Sequence, residues 1–261
     1  MKKTEVILLG CGSSLGVPRI DGYWGKTNKK NKKNHRMRCS LFIKYNGISI
    51  IIDTSPDIKN QLLNNKIKKI DFVIYSHDHA DQTHGINELR PFFWINKKKI
   101  PVYADKKTSY YLLNSFKYLF VKQSKYYKPI LKMNIINNNF LLKKNKKSIQ
   151  LETVKVKHGD INSNGYLFNK IAYISDCSSI SKKSLKKLMN LKLLIIDCLK
   201  FKSHATHLNF KKCLSYIKIL KPKKTILTNL HSDIEYSSFK KKLIKISKNI
   251  IPGYDGLKVT I

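Results

Sequence analysis

The sequence predicts an α/β protein, and three observations carry that expectation. Short apolar runs such as "EVILLG" (5–10), "ISIIID" (48–53) and "LKLLIIDC" (191–198) have the length and composition of buried strands. Amphipathic stretches of helical period lie between them, as in "DIKNQLLNNK" (57–66). Polar residues gather where the strands end, which is where α/β sheets leave side chains free to converge into sites.

Taken in order, "EVILLG" reads as a buried first strand. "CSLFIKY" (39–45), Asn46-Gly47 and "ISIIID" read as a hairpin, because Asn-Gly is the strongest two-residue turn signal. "DIKNQLLNNK" is a helix with Ile58, Leu62 and Leu63 on one face, and the continuous apolar "IDFVIYSH" (70–77) is a strand ending in histidine. "IPVYAD" (100–105) is a further strand, followed by a Tyr/Leu/Phe-rich helix near 106–120. "GKTNKKNKKNHRMR" (25–38) reads as an exposed loop, and the polar stretch "INNNFLLKKNKKS" (136–148) divides the chain in two. The second half repeats the pattern. "IQLETVKVKHGD" is a strand ending at His158, "GYLF" with "KIAYISDC" a second hairpin, and "SKKSLKKLMN" a helix. A strand ends at Asp197, "THLNFKKCLSYIKIL" is a helix, and "KTILTNLH" is a strand ending at His231. A helix over 235–248 and the strand "LKVTI" follow.

Composition narrows the function classes. Apolar residues make up 42% of the 261, enough for a sizeable core, yet no long uncharged apolar run reads as a membrane span. The apolar run after Lys2 and Lys3 is short and ends in Gly-Cys-Gly, which favours a first strand over a signal peptide. The 5 cysteines include no CxxC pair, which argues against a disulfide framework and fits a reducing cytoplasm. The net charge of +36 invites a polyanion partner, but arginine occurs only at 19, 36, 38 and 90. Lysine, asparagine and isoleucine are enriched together, as A/T-rich coding produces. Solvated lysine and a selected polyanion surface both remain open, and either attracts anionic ligands.

The chemistry concentrates in "SHDHADQTHG" (76–85), which holds three of the 8 histidines. His77 and His79 alternate just past an apolar strand, so extended backbone turns both to one side, with Asp81 two positions further on. Two imidazoles and a carboxylate so placed can share a zinc, manganese or iron ion.

With Gly85, this stretch resembles the His-x-His-x-Asp-His-x-x-Gly signature of the metallo-β-lactamase superfamily. "LLGCGSSLGVPR", "IIIDTSPD", "HG" at 158–159, "ISDC" at 174–177 and "LTNLH" at 227–231 follow in the order that family requires. Within it, "GVPR", "RMRCSLFI", "IIDCLKFKSHATHL" and "YDGLKV" are most similar to phosphoribosyl 1,2-cyclic phosphate phosphodiesterases. The resemblance implies an αββα sandwich of two mixed sheets with outer helices: one domain, 1–261, with pseudo-repeat halves at about 1–140 and 149–261. It also implies hydrolysis of a small or cyclic phosphodiester by a metal-bound hydroxide, using one or two divalent ions, zinc or manganese. His77, His79 and His158 would hold the first ion and Asp176 would bridge to a second, bound by Asp81 and a histidine of "LTNLH". Asp53 would support the metal loop.

This sequence departs from the family at two second-ion positions, where Gln82 and Asn229 replace histidines. Histidine recurs two residues after each, at His84 and His231. We expect His231 to substitute as ligand; His84 either does the same or packs beside Gly85. Gln82 is expected to offer a carbonyl oxygen or to bond a water. A third departure is the absence of cysteines from "GVPRIDGYWGKTN", so no third, structural ion is expected.

Around this centre, His207 in "HATHLNF" is the candidate general acid beside Asp81, with a helix-packing role as the alternative. His204 is a weaker substrate-binding candidate. Asp197 either braces a histidine or is a plain strand-end polar group. Arg36, Arg38 and Arg90 suit bidentate phosphate pairing or ordinary ion pairs. Ser13 and Ser14 suit phosphate contacts or a tight turn. The expected partner is a small phosphate ester, with RNA less favoured, no membrane, and a homodimer left open. The rival readings are a tRNase Z-like endoribonuclease, a thioesterase or lactonase of the same fold, and a non-catalytic relative with a decayed second site.

Overall fold

A computed structural model describes residues 3–261. The first half forms β1 (Thr4–Gly10), β2 (Ser40–Tyr45), β3 (Ile48–Ile52), β4 (Phe72–Ile74), β5 (Ile100–Ala104) and β6 (Leu131–Ile135). The second forms β7 (Asn139–Lys144), β8 (Lys147–His158), β9 (Ile161–Phe168), β10 (Ile171–Ile174), β11 (Leu193–Asp197), β12 (Lys224–Thr228), β13 (Ile250–Pro252) and β14 (Leu257–Thr260). Among the described residues eight α-helices accompany them: α1 (Ile58–Asn64), α2 (Ala80–Thr83), α3 (Arg90–Asn96), α4 (Lys106–Ser115), α5 (Lys117–Phe120), α6 (Lys182–Lys187), α7 (Phe210–Leu220) and α8 (Tyr236–Ile244).

The strands make two 7-stranded mixed sheets, in the orders β14-β1-β2-β3-β4-β5-β6 and β13-β12-β11-β10-β9-β8-β7. Strand β14 crosses from the end of the chain to pair antiparallel with β1. In the first sheet β3 to β6 run parallel, and in the second β10 to β13 do. The central core lies between the sheets and includes Leu41, Ile50, Ile74, Tyr166, Leu193 and Ile195. Separate apolar layers join each sheet to its outer helices, with Ile58, Leu89 and Leu112 on one side and Leu208, Cys213 and Phe239 on the other. This is the αββα sandwich. Among the described residues no helix is long and apolar enough to cross a membrane, and all five cysteines are buried free thiols.

Local chemistry explains most elements. Asn46 and Gly47 both take positive φ (49° and 76°), the backbone a two-residue turn of this kind demands. The second hairpin turns on Asn169 and Lys170, also at positive φ. Two expectations shift. The polar stretch at 136–148 contains β7, whose alternating exposure suits an edge strand paired only with β8. Helix α7 starts at Phe210 rather than near 206, because the Asn209 side chain accepts from Lys212 N and caps it there.

The segment 25–38 is lysine-rich but not simply exposed. Arg36 is buried, and its guanidinium donates to the carbonyls of His231 and Ile234 and to Asn34 Oδ1 at 2.7–3.2 Å. Asn34 in turn donates to Glu235 Oε1, whose other oxygen caps α8 by accepting from Ser238 N. Thus the segment is fastened from inside to the 231–236 turn.

Partial burial works against the Glu235 carboxylate, but the Ser238 and Asn34 donors hold it down at about 2. A depressed carboxylate stabilises above its unfolded pKa, and that contribution is lost as pH falls toward the folded value. Urea unfolding should therefore show the gap between wild type and Glu235→Gln narrowing as pH drops from 6 to 2.5; a constant gap would refute this. Gly85 sits where an added Cβ would collide with the Ser55 carbonyl oxygen. Gly85→Ala should cost about 1–3 kcal/mol in the same assay.

Candidate metal centre

The parallel strands of both sheets end at one rim, and their last residues build the site. After β3, Asp53 takes left-handed backbone (φ 65°) and its Oδ1 accepts from Ser76 N at 2.7 Å, which fixes the exit from β4. Tyr75 reinforces that exit, with its hydroxyl 2.7 Å from Thr54 Oγ1 and its carbonyl accepting from Tyr166. Buried His77 and exposed His79 follow. The extended run stops there, because α2 begins at Ala80; Asp81 and Gln82 therefore approach from a helical turn, and Gln82 is buried. From the other sheet come His158 at the end of β8, Asp176 after β10, Asp197 at the end of β11 and Asn229 after β12.

His77, His79 and His158 face one another, with ring centroids 4.5, 5.2 and 5.1 Å apart. One nitrogen from each lies within 4.8 Å of the others, and His158 is shared with a second such group containing Asp176 and His207. The backs of the rings are held. His77 Nδ1 lies 2.9 Å from Ser76 Oγ and 3.4 Å from Ser163 Oγ, while His158 Nδ1 donates to the Thr206 carbonyl at 2.7 Å. These contacts engage Nδ1 of His77 and of His158 and leave their Nε2 atoms free, and His77 Nε2 is buried with no hydrogen-bond partner.

The electrostatics suit a cation. Burial, with the neighbouring imidazoles of His79 and His158, lowers His77 to about 4, and burial also lowers His158, so their lone pairs are available near neutral pH. Burial alone would raise Asp176, but His77, His207 and His158 hold it below the ordinary carboxylate range. Burial and the Asp176 charge push Asp81 up. Buried Asp197 is raised to about 6, and its Oδ2 accepts from His207 Nδ1 at 2.9 Å. Burial opposes charge on His207, yet Asp197, Asp176 and Asp81 carry it up to about 9. A cation on the neighbouring imidazoles would lower that value again. Two imidazoles with lowered pKa and braced Nδ1 atoms, the orphaned buried Nε2 of His77 and the adjoining His79 ring fit one divalent ion of the zinc or manganese kind.

Other expected site residues lie elsewhere. The chain turns at Asn229 in left-handed backbone (φ 60°), so Asn229 enters the site and the strand-like alternation toward His231 is lost. The His231 ring instead lies against Asp233, with Nδ1 accepting from Asp233 N at 3.2 Å. His84 is exposed, bonded to the Tyr111 hydroxyl at 2.8 Å and packed edge-on to Phe116, because the α2 turn carries it to the outside. Arg38 pairs with Asp57 at 2.7 Å, and Arg90 stacks over Tyr127. Ser13 is buried and Ser14 exposed in the β1 loop, which meets Leu230 through Gly12. His204 lies 5.3 Å from His207, at the surface. Asp53, by contrast, lies at the site and holds the loop through Ser76 N. Sequence reasoning missed Ser163 and the Thr206 carbonyl, because a single serine in β9 and a backbone oxygen give no pattern.

Comparison with known proteins bears on the family and the fold. The family model for the beta-lactamase superfamily domain matches residues 49–229. A crystal structure of a new diphosphatase from the PhnP family superposes with a TM-score of 0.88 at 31% identity, covering 100% of this chain and 98% of that one. The metallo-beta-lactamase fold protein YhfI from Bacillus subtilis (TM-score 0.74, 16% identity, 100% of both chains) shares the fold. So does human tRNase Z, short form (TM-score 0.69, 14% identity, 98% of both). Among curated proteins, an octanoyltransferase of Porphyromonas gingivalis (strain ATCC BAA-308 / W83) is 27% identical over 259 residues, 98% of this chain. The match spans only about half (51%) of that relative's length. On the family model and the full-length likeness at 31% identity, the chain belongs to the beta-lactamase superfamily.

Proposed function

We infer that this protein is a metal-dependent hydrolase of a phosphodiester or diphosphate linkage in a small anionic molecule. The observation that carries the reading is the convergence of His77, His79 and His158, with Asp176 and the His207–Asp197 pair alongside. The likeness to a diphosphatase over the full chain supports phosphorus as the centre attacked. A divalent ion held by the three imidazoles would supply Lewis acidity, drawing in phosphate oxygens and making water acidic enough to attack near neutral pH.

The chain's own groups account for the protons. Asp81 gives Oδ2 to the Gln82 amide, which leaves Oδ1 to accept the proton shed by the attacking water. His207 is oriented by Asp197 at Nδ1, and its free Nε2 delivers a proton to the departing oxygen. Asp197 also accepts from Cys177 N and Leu208 N, so it holds the imidazole rather than exchanging protons itself.

A second reading, hydrolysis of an acyl thioester at the same centre, is favoured by one observation, the octanoyltransferase relative. A panel of bis-p-nitrophenyl phosphate, a ribose cyclic phosphate, a dinucleoside diphosphate and an octanoyl thioester separates the two. We expect turnover of phosphorus substrates alone; turnover of the thioester alone would overturn the first reading. His79→Ala should lose both the retained ion and the activity. His207→Ala should slow alkoxide-leaving substrates by about 10²–10⁴-fold, and p-nitrophenolate release much less, because that leaving group needs no proton. Equal losses on both would remove His207 from the acid role.

A further inference from the structure

The side chains around Asp176 say how many ions the centre takes. Asp176 Oδ1 accepts from Asn229 Nδ2, and Asp176 Oδ2 accepts from Gln82 Nε2, each at 3.1 Å. Gln82 Nε2 also donates to Asp81 Oδ2 at 3.1 Å, so its two hydrogens join the two carboxylates. The Asn229 amide spends its other hydrogen on the Ser175 carbonyl at 3.1 Å. It also lies 3.1 Å from His207 Nδ1, but that nitrogen carries the proton given to Asp197 and accepts nothing. All four amide hydrogens are thereby assigned.

A second cation would need lone pairs converging from Asp81, Asp176 and at least one further group. Here both Asp176 oxygens and one of Asp81 face N–H donors, and an amide nitrogen has no lone pair to give a cation. The histidines that follow in sequence do not rescue the site: His231 is turned to Asp233, and His84 to Tyr111. The Gln82 carbonyl oxygen is buried without a partner, while its Nε2 is the end that meets both carboxylates.

We propose that this protein works with a single divalent ion, held by His77, His79 and His158, and that the Gln82 and Asn229 amides occupy the place of a second ion by hydrogen-bonding Asp176 and Asp81. This rests on the metal-dependent reading of the site above. It assigns Gln82 and Asn229 as positioning residues: they fix the two carboxylates without charge, and a small anionic substrate meets one cation and the His207 imidazole instead of two cations.

The test counts ions, independently of activity. Chelator-stripped protein is reloaded with Mn2+, freed of excess by gel filtration, and measured by elemental analysis, native mass spectrometry and electron paramagnetic resonance. We expect about one equivalent and an uncoupled six-line Mn2+ spectrum. Two equivalents with an exchange-coupled spectrum would overturn the inference and leave the hydrolase reading intact; that result would mean that Gln82 turns over to present its carbonyl oxygen. No retained ion with Mn2+ or with Zn2+ would sink the hydrolase reading itself. Gln82→His/Asn229→His should raise the count to about two. Because an imidazole is bulkier than either amide, Gln82→Glu/Asn229→Asp, nearly isosteric, is the parallel variant. It should lose thermal stability in chelator and regain it with Mn2+, by a larger shift than wild type shows. A count still at one in both folded double variants would also overturn the proposal, since the amides would then not be what excludes the second ion.

Discussion

A buried carboxylate must be met by hydrogen-bond donors or by a cation, and Asp176, 3% exposed at the rim between the sheets, imposes that condition on everything around it. It stands just after β10, and the groups that answer it come from four other places: His77 and Gln82 after β4, His158 at the end of β8, His207 before α7 and Asn229 after β12. None of these contacts is local in sequence. They exist because parallel strands in both sheets finish at the same edge, and because the inter-sheet core holds those edges in fixed relation.

The rigidity of this arrangement is built behind the functional side chains. Asp53 holds Ser76, Ser76 and Ser163 flank His77, the Thr206 carbonyl holds His158, and Asp197 holds both His207 and the Cys177 amide. Each brace fixes a tautomer or a direction, which is what a site needs if its lone pairs are to meet at a point. Arg36 does comparable work at the neighbouring turn. Its guanidinium satisfies two carbonyls of the 231–234 segment, so a single buried arginine ties a long loop to the region next to Asn229.

Much of this was legible in the sequence, and the remainder has identifiable reasons. Periodicity marked the strands, and Asn46-Gly47 marked a turn whose positive φ values the structure shows. His77, His79, His158 and Asp176 could be singled out because strand ends and family motifs coincide on them. The second-ion positions were not legible, because they depend on where regular backbone stops. Extended alternation ends at His79, where α2 begins, and this turns Gln82 inward and His84 outward. Likewise the left-handed residue at 229 ends the strand direction, so the spacing that singled out His231 no longer applies. The direction of a side-chain amide is a further step removed: only the positions of Asp81, Asp176 and the Ser175 carbonyl decide which end of Gln82 and Asn229 faces them.

Charge bears on the same centre from a longer range. Of the 16 acidic residues in a chain of formal charge +36, four (Asp53, Asp81, Asp176 and Asp197) gather at this rim. Lysines approach its edges: Lys107 pairs with Asp78 at 3.0 Å, and Lys212 donates to the Ser178 carbonyl. Such a field draws anions toward the rim and raises the cost of each cation placed there, although solvent and salt screen it beyond about 8–10 Å. A second divalent ion would add two further positive charges within a few ångströms of the first, in a low-dielectric setting where repulsion is strongest. Neutral amides on Asp176 avoid that repulsion while still satisfying the carboxylate. In a protein so rich in lysine the surface already attracts anions, so a second cation is least needed for the electrostatic part of its usual task.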